Sequence, residues 1–506
     1  MKYFKLLLAS LVLIGLSACT DLKEELKDTL TEEQALELGD PAAILRATYL
    51  GFRNPYQDQS FFWALQTHTA DEAMGPTRGP DWDDNGAWRV LHNHTWTATN
   101  ARSAQTFNEI LQIVFNATDV LNFEPTAQQA AEALFLRAYA IFSIADLYGQ
   151  VPLRQPGENL LNPSKVLTAT EALDQVITDV NAIMDDLPDG PANVANKDAA
   201  KVLLMKAYLN YGTFADRTNP SFPGPDMQVV MDLADDIIGS GKYSLSETDT
   251  AYFDNFAPTN DLLSTENIFT AENEGGVTSG NVRSRWFCGL HYNQNPSGWN
   301  GFCTIADFYD KFDQNDWRLG MDYPGSTDVG GVRAGFLEGQ QYDGDGNELD
   351  DRKGNKLVFS KDVALINTGD DLEITGIRVV KYPVDYNNGD NVDNDYVYYR
   401  YADVLLMKAE ALLRSGNEPD ARAIVNDLRS KRGLGDLATL TEDNLLDERG
   451  FELYWEGHRR TDLIRFGKFL EPWNEKPASD QARLLFPIPA AQLAVNPNLK
   501  QNPGYQ

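Results

Sequence analysis

Residues 400–414 read RYADVLLMKAEALLR, and their spacing predicts an amphipathic helix. The apolar residues recur three or four positions apart and so share one helical face: Ala402, Leu405, Leu406, Ala409, Leu412 and Leu413. The sequence Ser415-Gly416-Asn417 then predicts a tight turn. A second helical pattern follows over residues 418–431. Two helices in this order can pack against each other, which indicates a mainly α-helical fold.

Helical periodicity extends over much of the remaining chain. The further predicted helices cover residues 103–123, 127–148, 170–186, 197–214, 226–239 and 442–465. Small residues near the turns at 207–212 and 413–421 would let paired helices approach closely. This is weakly similar to tetratricopeptide repeats, although the strict period is absent and ordinary helical hairpins fit the spacing as well.

Two long stretches, residues 53–100 and 273–400, show little helical period and are rich in Gly, Asn, Asp and aromatic residues. Short strands are predicted within the second, at residues 356–359 and 377–380. Loops of this length inside a folded protein usually carry function. The sequence therefore predicts mainly α structure, with paired helices and a loop-rich lobe that contains short strands.

The first residues predict a lipoprotein signal peptide over residues 1–18. Lys2 and Lys5 precede an apolar run that is too short to span a bilayer, and Leu16-Ser17-Ala18-Cys19 places small residues before a cysteine. An ordinary signal with a chance cysteine is the alternative, but the chain has only three cysteines. We therefore predict lipidation at Cys19, followed by an acidic flexible tether over residues 19–35.

The overall charge restricts the partners. The chain carries a formal charge of −32, and removal of the signal peptide with Lys2 and Lys5 makes it more acidic still. Nucleic acids are excluded as partners, because phosphate binding needs clustered Lys and Arg, and extended anionic substrates are disfavoured for the same reason. The sequence has no second apolar segment of transmembrane length, so the lipid is the expected membrane attachment.

The sequence contains no HExxH, GxSxG or GxxxxGK[ST] motif, and we predict no catalytic residues, metal or cofactor. Carboxylate pairs such as Asp71-Glu72 arise by chance in so acidic a chain and are poor evidence for a glycosidase. Residues 343–347, DGDGN, resemble the start of a calcium loop, but Glu348 and Gly354 occupy the positions where Gly and Glu are needed. A polar hairpin tip is the favoured interpretation, and a structural calcium ion is the weak alternative.

Cys288 and Cys303 remain after Cys19 and lie in one aromatic, Gly-rich stretch. They could form a disulfide in an oxidising compartment or remain as two buried thiols, and the sequence does not decide between them. No CxxC motif is present, which excludes a zinc site of that type.

Several stretches resemble the SusD/RagB family, surface lipoproteins of Bacteroidetes that capture glycans. The matching segments, in order, are the signal ending at Cys19, EALFLRAY (132–139), YGQVPL (148–153), ENIF (266–269), RYADVLLMKAEA (400–411), ERGFELYWEGHRRTDLIR (448–465), LFPIP (485–489) and NPGY (502–505). The resemblance spans nearly the whole chain. It implies a SusD-like fold, mainly α, with four tetratricopeptide-like helix pairs and a loop-rich, minor-β lobe that binds the ligand. The expected regions are a helical region over 36–270 and a second region over 271–506, which carries the ligand-binding loops and closing helices.

The resemblance also implies a function without catalysis. The protein would bind oligosaccharide or polysaccharide and pass it to a TonB-dependent transporter of the SusC type. It would be held in the outer membrane by its lipid anchor, and the acidic residues after Cys19 resemble an export tag for the cell exterior. The matching residues Glu448, Arg449, Glu456 and Arg459 are expected to form ion pairs between helices.

The predicted ligand site rests on the composition of the loops. Residues 71–96 and 283–317 combine Trp with Asp, Asn and Arg, a combination that suits an uncharged, polyhydroxylated ligand. The alternative is that each Trp anchors its loop to the helices. The predicted ligand-binding residues are Trp82, Trp88 and Trp299 for stacking, Asp71, Arg78 and Arg378 for hydrogen bonding, and Tyr292. The segment from Thr69 to Trp88 also resembles family members that bind fructans.

Three other functions remain open from the sequence: a helical-repeat assembly scaffold, a peptide-binding lid and, with less support, a surface glycoside hydrolase.

Overall fold

Helices form the scaffold in a computed structural model that describes residues 39–79, 82–277 and 281–505. In chain order they are α1 (Pro41–Gln57), α2 (Phe62–Thr67), α3 (Arg89–His92), α4 (Ala101–Val120), α5 (Ala127–Tyr148), α6 (Ala169–Ile183), α7 (Lys197–Ala215), α8 (Gly224–Gly239), α9 (Ala251–Asp254), α10 (Asn260–Leu263), α11 (Ser284–Phe287), α12 (Ala306–Tyr309), α13 (Thr327–Gly330), α14 (Tyr401–Arg414), α15 (Glu418–Ser430), α16 (Glu442–Leu453), α17 (Arg459–Arg465) and α18 (Ala490–Val495).

The β-strands are short and belong to small sheets. They are β1 (Thr77–Arg78), β2 (Gln150–Leu153), β3 (Lys165–Thr168), β4 (Asn267–Ala271), β5 (Gly320–Met321), β6 (Ala334–Leu337), β7 (Gly339–Gln340), β8 (Val358–Phe359), β9 (Ile366–Asn367), β10 (Arg378–Val380) and β11 (Tyr396–Arg400). An antiparallel sheet has the order β10-β6-β5, and the other strands form pairs: β1 with β9, β2 with β3, β4 with β11 and β7 with β8.

Side-chain caps determine where several long helices begin. The Thr126 side chain accepts from the Gln129 amide, and the Gln129 side chain accepts from the Thr126 amide, a reciprocal pair known as a capping box. Thr168 and Glu171 cap α6 in the same way. Each pair satisfies amide groups that have no partner within the helix. The predicted starts of these helices, at residues 127 and 170, therefore lie within one residue of the observed ones.

The long helices pack as a stack of neighbouring pairs. Helices α4 to α8 each contact the next along the chain, then α8 packs against α14, and α14 packs against α15. Residues 240–400 therefore leave the stack after α8 and form the loop-rich lobe before the chain returns at α14. The predicted mainly α fold with paired helices and a minor-β lobe is confirmed.

The predicted single helix over residues 442–465 is wrong. The chain forms α16 and α17 instead, because Trp455 adopts a left-handed φ of 60° and Gly457 a φ of 79° between them. Trp455 is buried, and its amide donates to Glu72 Oε2 at 2.9 Å. Helical periodicity does not report a break of this kind, because the apolar residues continue on both sides of it.

Strand β11 joins the lobe to the helical stack. It pairs antiparallel with β4 and continues directly into α14, which places Arg400 at the junction. The predicted boundary between the regions 36–270 and 271–506 falls at the end of β4, and Pro41–Gln506 forms one compact unit.

The predicted signal peptide over residues 1–18, Cys19 and the tether over residues 19–35 lie outside the described residues. Within the described ranges, no helix combines the length and the apolar character needed to cross a membrane.

A buried carboxylate of α16, Glu452, binds three guanidinium groups from different parts of the chain. Its Oε2 lies 3.0 Å from Arg318 Nη1, and its Oε1 lies 2.7 Å from Arg400 Nη1 and 2.8 Å from Arg432 Nη2. Burial alone would raise the pKa of Glu452, but the charges of Arg432 and Arg400 outweigh it and hold that pKa well below its usual range. Glu266 adds a second acceptor, at 3.2 Å from Arg400 and 2.9 Å from Arg432.

Four residues expected to form ion pairs between helices are all in buried ion pairs, but of their closest contacts only the pair of Arg449 with Asp462 joins two α-helices. Their closest contacts are Glu448 with Arg318 at 2.7 Å, Glu456 with Arg400 at 2.8 Å, Arg449 with Asp462 at 2.9 Å and Arg459 with Asp71 at 2.7 Å. All of these side chains are buried. The charged C-terminal motif is therefore part of the scaffold.

Glu452→Gln tests this network. The amide cannot neutralise the three buried guanidinium groups, so we expect the free energy of unfolding to fall by about 3–5 kcal/mol. Equilibrium denaturation in urea measures the change. Glu471→Gln, which removes the half-exposed partner of Lys468, is the matched control and should change stability by less than about 1 kcal/mol. Equal losses in the two variants would contradict a central role for Glu452.

Candidate ligand-binding site around Trp299

Trp299 differs from the other tryptophans in its exposure. The chain has nine tryptophans, and among the described residues Trp299 is the most exposed of them, at 42%. Its ring meets the Phe287 ring edge to face, with centroids 5.2 Å apart. Phe287 therefore supports the indole on one side, and the exposed part of the ring is available to a ligand.

Backbone hydrogen bonds organise the loop that carries Trp299, residues 288–303. The Trp299 amide donates to the Phe287 carbonyl at 2.9 Å, and the Asn300 amide donates to the Leu290 carbonyl at 2.8 Å. The amides of Gly301 and Phe302 both donate to the Cys288 carbonyl, at 2.8 and 2.9 Å. The loop is thus folded back on itself, and it presents Trp299 from an ordered backbone.

Hydrogen bonds from the guanidinium of Arg378 hold this loop in place. Its Nη2 donates to Asn300 Oδ1 at 2.6 Å and to the Glu373 carbonyl at 2.9 Å, and its Nη1 donates to the Thr375 carbonyl at 2.7 Å. Arg378 begins β10 and is fully buried. The prediction that Arg378 hydrogen-bonds a ligand is corrected by this burial, since its guanidinium is occupied by protein oxygens.

The guanidinium of Arg78 also hydrogen-bonds to this loop. Its Nη1 donates to the Gly301 carbonyl at 2.9 Å, and its Nη2 donates to the Thr375 carbonyl at 2.7 Å, the carbonyl that Arg378 also uses. Neither arginine has a carboxylate partner within the described chain. Burial lowers the pKa of Arg378, and the charge of Arg78 lowers it further. The predicted ligand contact of Arg78 is corrected in the same way: the two arginines hold the loop and do not line its surface.

Trp88 lies in the core. It is 2% exposed and packs against Phe302 and His68, with ring centroids 5.1 and 5.3 Å away. The guanidinium of Arg102 lies over the ring at 4.8 Å, and a side chain at Gly75 would collide with it. The prediction that Trp88 stacks on a ligand is corrected, because no sugar can reach either face.

Trp82 and Tyr292 lie partly exposed beside the loop or within it. The edge of Trp82 meets the Phe302 ring, with centroids 5.6 Å apart, and Gly301 lies against its indole. The ring of Tyr292 carries the guanidinium of Arg352 at 4.0 Å. Both aromatic residues are close enough to the Trp299 loop to remain predicted contributors to a ligand surface.

Glu373 links the Tyr292 side of the loop to Arg352. Its Oε1 accepts from Arg352 Nε at 2.8 Å, and its Oε2 lies 2.7 Å from His291 Nε2. The Asn293 amide donates to His291 Nδ1, so the neutral imidazole carries its proton on Nε2 and donates it to Glu373. Burial lowers the pKa of His291, which favours this neutral form.

Asp71 is held in the scaffold. Arg459 donates to its two carboxylate oxygens at 2.7 and 2.9 Å, and the side chain is buried. Burial opposes ionisation of Asp71, but the Arg459 charge outweighs it and lowers the pKa of that carboxyl. The predicted hydrogen bond from Asp71 to a ligand is corrected, because this bidentate pair occupies both oxygens.

The remaining polar motifs form local structure. Asp343 Oδ1 accepts from the amides of Asp345 and Asn347 at 3.0 and 2.8 Å, which closes the hairpin tip favoured from the sequence. No cluster of His, Cys, Asp and Glu that could hold a metal occurs in the ranges that the structure describes. Cys288 and Cys303 are both buried, free thiols, and burial raises the pKa of Cys288 above its usual range.

Two segments of the chain match sequence models of one family. Residues 265–483 match the model described as the SusD family, and residues 31–209 match a model described as starch-binding associating with outer membrane. The chain belongs to the SusD/RagB family. The resemblance found in the sequence motifs is thereby confirmed.

Named SusD relatives match most of the chain. The starch-binding protein SusD of Bacteroides thetaiotaomicron is 27% identical over 472 residues, which cover 84% of this chain and 82% of the relative. The SusD-like protein P38 of Formosa agariphila is 25% identical over 551 residues, which cover both chains completely.

Solved structures of the SusD superfamily share the fold. A protein from Parabacteroides distasonis has a TM-score of 0.72 at 20% identity and covers 94% of this chain and 100% of its own. Surface glycan-binding protein A from Bacteroides thetaiotaomicron, in complex with laminarihexaose, has a TM-score of 0.66 at 18% identity and covers 91% and 98%. The tetratricopeptide-like, SusD-like arrangement of helices is therefore confirmed.

The Arg378 contacts can be tested with Arg378→Lys. Lysine cannot reproduce the fork that holds Asn300 and two carbonyls, so we expect stability to fall by about 1–3 kcal/mol and the amides of Gly301 and Phe302 to exchange faster. Hydrogen exchange followed by mass spectrometry measures both effects. Arg333→Lys is the control, because Arg333 is half-exposed and pairs with the exposed Asp322. If the amide exchange rates of residues 288–303 were the same in Arg378→Lys and the wild type, this would contradict the role of Arg378 in holding the loop.

The buried carboxyl group of Glu72 predicts a pH dependence of folding stability that the sequence did not indicate. Its Oε1 has no partner within the described residues, and burial raises its pKa from 4.5 to about 8. The unfolded chain releases this proton near pH 4.5, so the native state loses stability as the pH rises from about 4.5 to about 8. Glu72→Gln removes this dependence. Relative to the wild type, the variant should gain up to about 1.4 kcal/mol per pH unit within that window.

Urea denaturation at intervals from pH 5 to pH 8 measures the effect, and Glu109→Gln at an exposed position of α4 is the control. A stability difference that does not change with pH would contradict a buried, protonated Glu72.

Proposed function

We propose that this protein captures oligosaccharides at the cell surface and has no catalytic activity of its own. The observation that carries the proposal is the exposed Trp299, which is supported by Phe287 and held by a loop fastened at Asn300 and Gly301. An exposed tryptophan on an ordered loop can bind a flat apolar surface with little loss of entropy. The names of two similar proteins, one starch-binding and one laminarin-binding, support a glycan as the ligand.

The chemistry of the loop suits an uncharged sugar. One face of a pyranose ring is rich in C–H groups and can stack on the Trp299 indole, with Trp82 and Tyr292 extending the aromatic surface. Arg352 and Asn293 lie beside Tyr292 and can exchange hydrogen bonds with hydroxyl groups. The acidic charge of the whole protein disfavours an anionic glycan.

The contacts of Asp71 and Glu72 support a binding protein over a hydrolase. Hydrolysis needs two carboxyl groups that face the same glycosidic bond. Asp71 is bound by Arg459, and Glu72 is buried beside Trp455. Incubation with polysaccharides followed by product analysis should therefore detect no cleavage.

The lipid anchor and the family suggest the place of action. We infer that Cys19 attaches the protein to the outer membrane, facing the cell exterior, and that residues 19–35 tether it beside a SusC-type TonB-dependent transporter. The protein would deliver its bound oligosaccharide to that transporter. Protease treatment of intact cells tests the orientation, and co-purification from detergent-solubilised membranes tests the partner.

Trp299→Ala tests the binding site. Calorimetry with starch, laminarin and levan, the last representing the fructan suggested by the sequence, should identify the glycan. Loss of the stacking platform should then weaken the affinity more than about tenfold. Phe115→Ala is the matched control, because Phe115 has a similar exposure of 43% and lies on α4 of the helical stack. Equal affinities of the wild type and the Trp299 variant would contradict this site.

A further inference from the structure

A cavity of about 320 Å³ lies between three segments of the lobe. The segments are residues 250–263, 323–325 and 383–387. Each contributes one proline to the wall: Pro258, Pro324 and Pro383. The volume is at the small end of the range for ligand pockets, so the cavity suits a ligand of one or two sugar rings.

Buried hydrogen bonds join the walls of this cavity to each other. The Asn394 side chain donates to the carbonyls of Phe256 and Pro383, at 2.7 and 3.0 Å. The Tyr323 hydroxyl donates to Asp254 Oδ1 at 2.8 Å, which links the second segment to the first. Since proline also restricts its own backbone, the cavity is formed before any ligand enters, and binding requires little ordering.

The surface of the cavity combines flat apolar groups with a few acceptors. Tyr323, Tyr386 and the proline rings provide the apolar part, and Asp254 and Asn387 provide polar atoms. Among the described residues that line it, none is Lys, Arg or His, so an anionic ligand would meet the carboxylates of Asp254 and Asp385 without a compensating cation. A sugar can place its C–H face on the rings and donate hydroxyl hydrogens to Asp254.

Tyr386 connects this cavity to the loop of Trp299. Its hydroxyl donates to the carbonyl of Asn295, within residues 288–303. A side chain at Gly330 would collide with both groups, so the close contact depends on glycine there. One wall of the cavity is therefore bonded to the segment that presents the stacking platform.

We propose that this cavity is a second saccharide subsite, which binds a terminal or branching sugar ring of an uncharged glycan. The proposal rests on the proposed glycan-binding function and adds a second point of contact, independent of Trp299. Two weak contacts on one rigid protein would raise the affinity for longer or branched chains above that of either contact alone.

Leu263 gives a way to close the cavity without disturbing the core. It lies at the mouth and is 49% exposed, so Leu263→Trp should fill the entrance from the surface. The neighbouring Leu262 is 80% exposed and outside the lining, which makes Leu262→Trp the matched control. Both changes are made in the full-length protein that carries Trp299→Ala, so that the first site does not contribute.

Saturation-transfer NMR with maltose, laminaribiose and levanbiose at millimolar concentration measures the binding. We expect signal for at least one disaccharide in Trp299→Ala, and retention of that signal after Leu262→Trp. Leu263→Trp should abolish it. Asp254→Asn, which keeps the shape of the side chain, should weaken the binding about tenfold.

The outcomes separate the two proposals. Binding by the wild type that disappears in Trp299→Ala would overturn the second subsite and leave the proposed function intact. Signal that survives Leu263→Trp would also overturn it, because the sugar would then lie elsewhere. Absence of any signal in the wild type, together with no affinity for the polysaccharides, would overturn both.

Discussion

The buried carboxylate of Glu452 is the interaction on which the fold depends. It binds Arg318 from the lobe, Arg400 from the junction of β11 with α14, and Arg432 from the turn that follows α15. These three groups come from the inserted loops and from the returning helices. Because a buried guanidinium is costly without an anion, each segment is stabilised when it meets α16, in addition to the contacts with Asp316, Glu266 and Glu456. The network thereby links formation of the lobe to completion of the helical stack.

The Trp299 loop uses arginine for a different purpose. Arg78 and Arg378 lack a carboxylate partner within the described chain and bind backbone and amide oxygens instead. An irregular loop has many carbonyl groups that no sheet or helix satisfies, and a guanidinium can serve several of them at once. The lobe gains a firm surface in this way, although it has little regular secondary structure. A rigid surface is what a stacking ligand requires, because ordering a mobile loop would reduce the affinity.

The helices could be predicted from the sequence because their apolar faces and caps are local signals. Thr126 and Thr168 mark two starts, whereas at the break the Trp455 amide donates to Glu72, which is far away in the sequence. The site could be predicted only in outline. Loop composition drew attention to Trp299, but it could not separate that residue from the buried Trp88, because both have polar neighbours in the sequence. Whether a side chain is exposed depends on which residues, distant in the sequence, pack over it. The composition of a loop does not identify those residues.

The insertion of the lobe between α8 and α14 has a consequence for how the protein is made. These helices are neighbours in space but are separated by residues 240–400, so their contact closes a very long chain segment. Contacts of this sequence separation form slowly, because the entropy of loop closure must be overcome first. Helices α4 to α8 can assemble early, because each contacts the next along the chain. The face of α8 that packs against α14 stays uncovered until α14, which begins the last fifth of the polypeptide, docks against it. Completion of the helical stack is therefore expected to follow its local assembly.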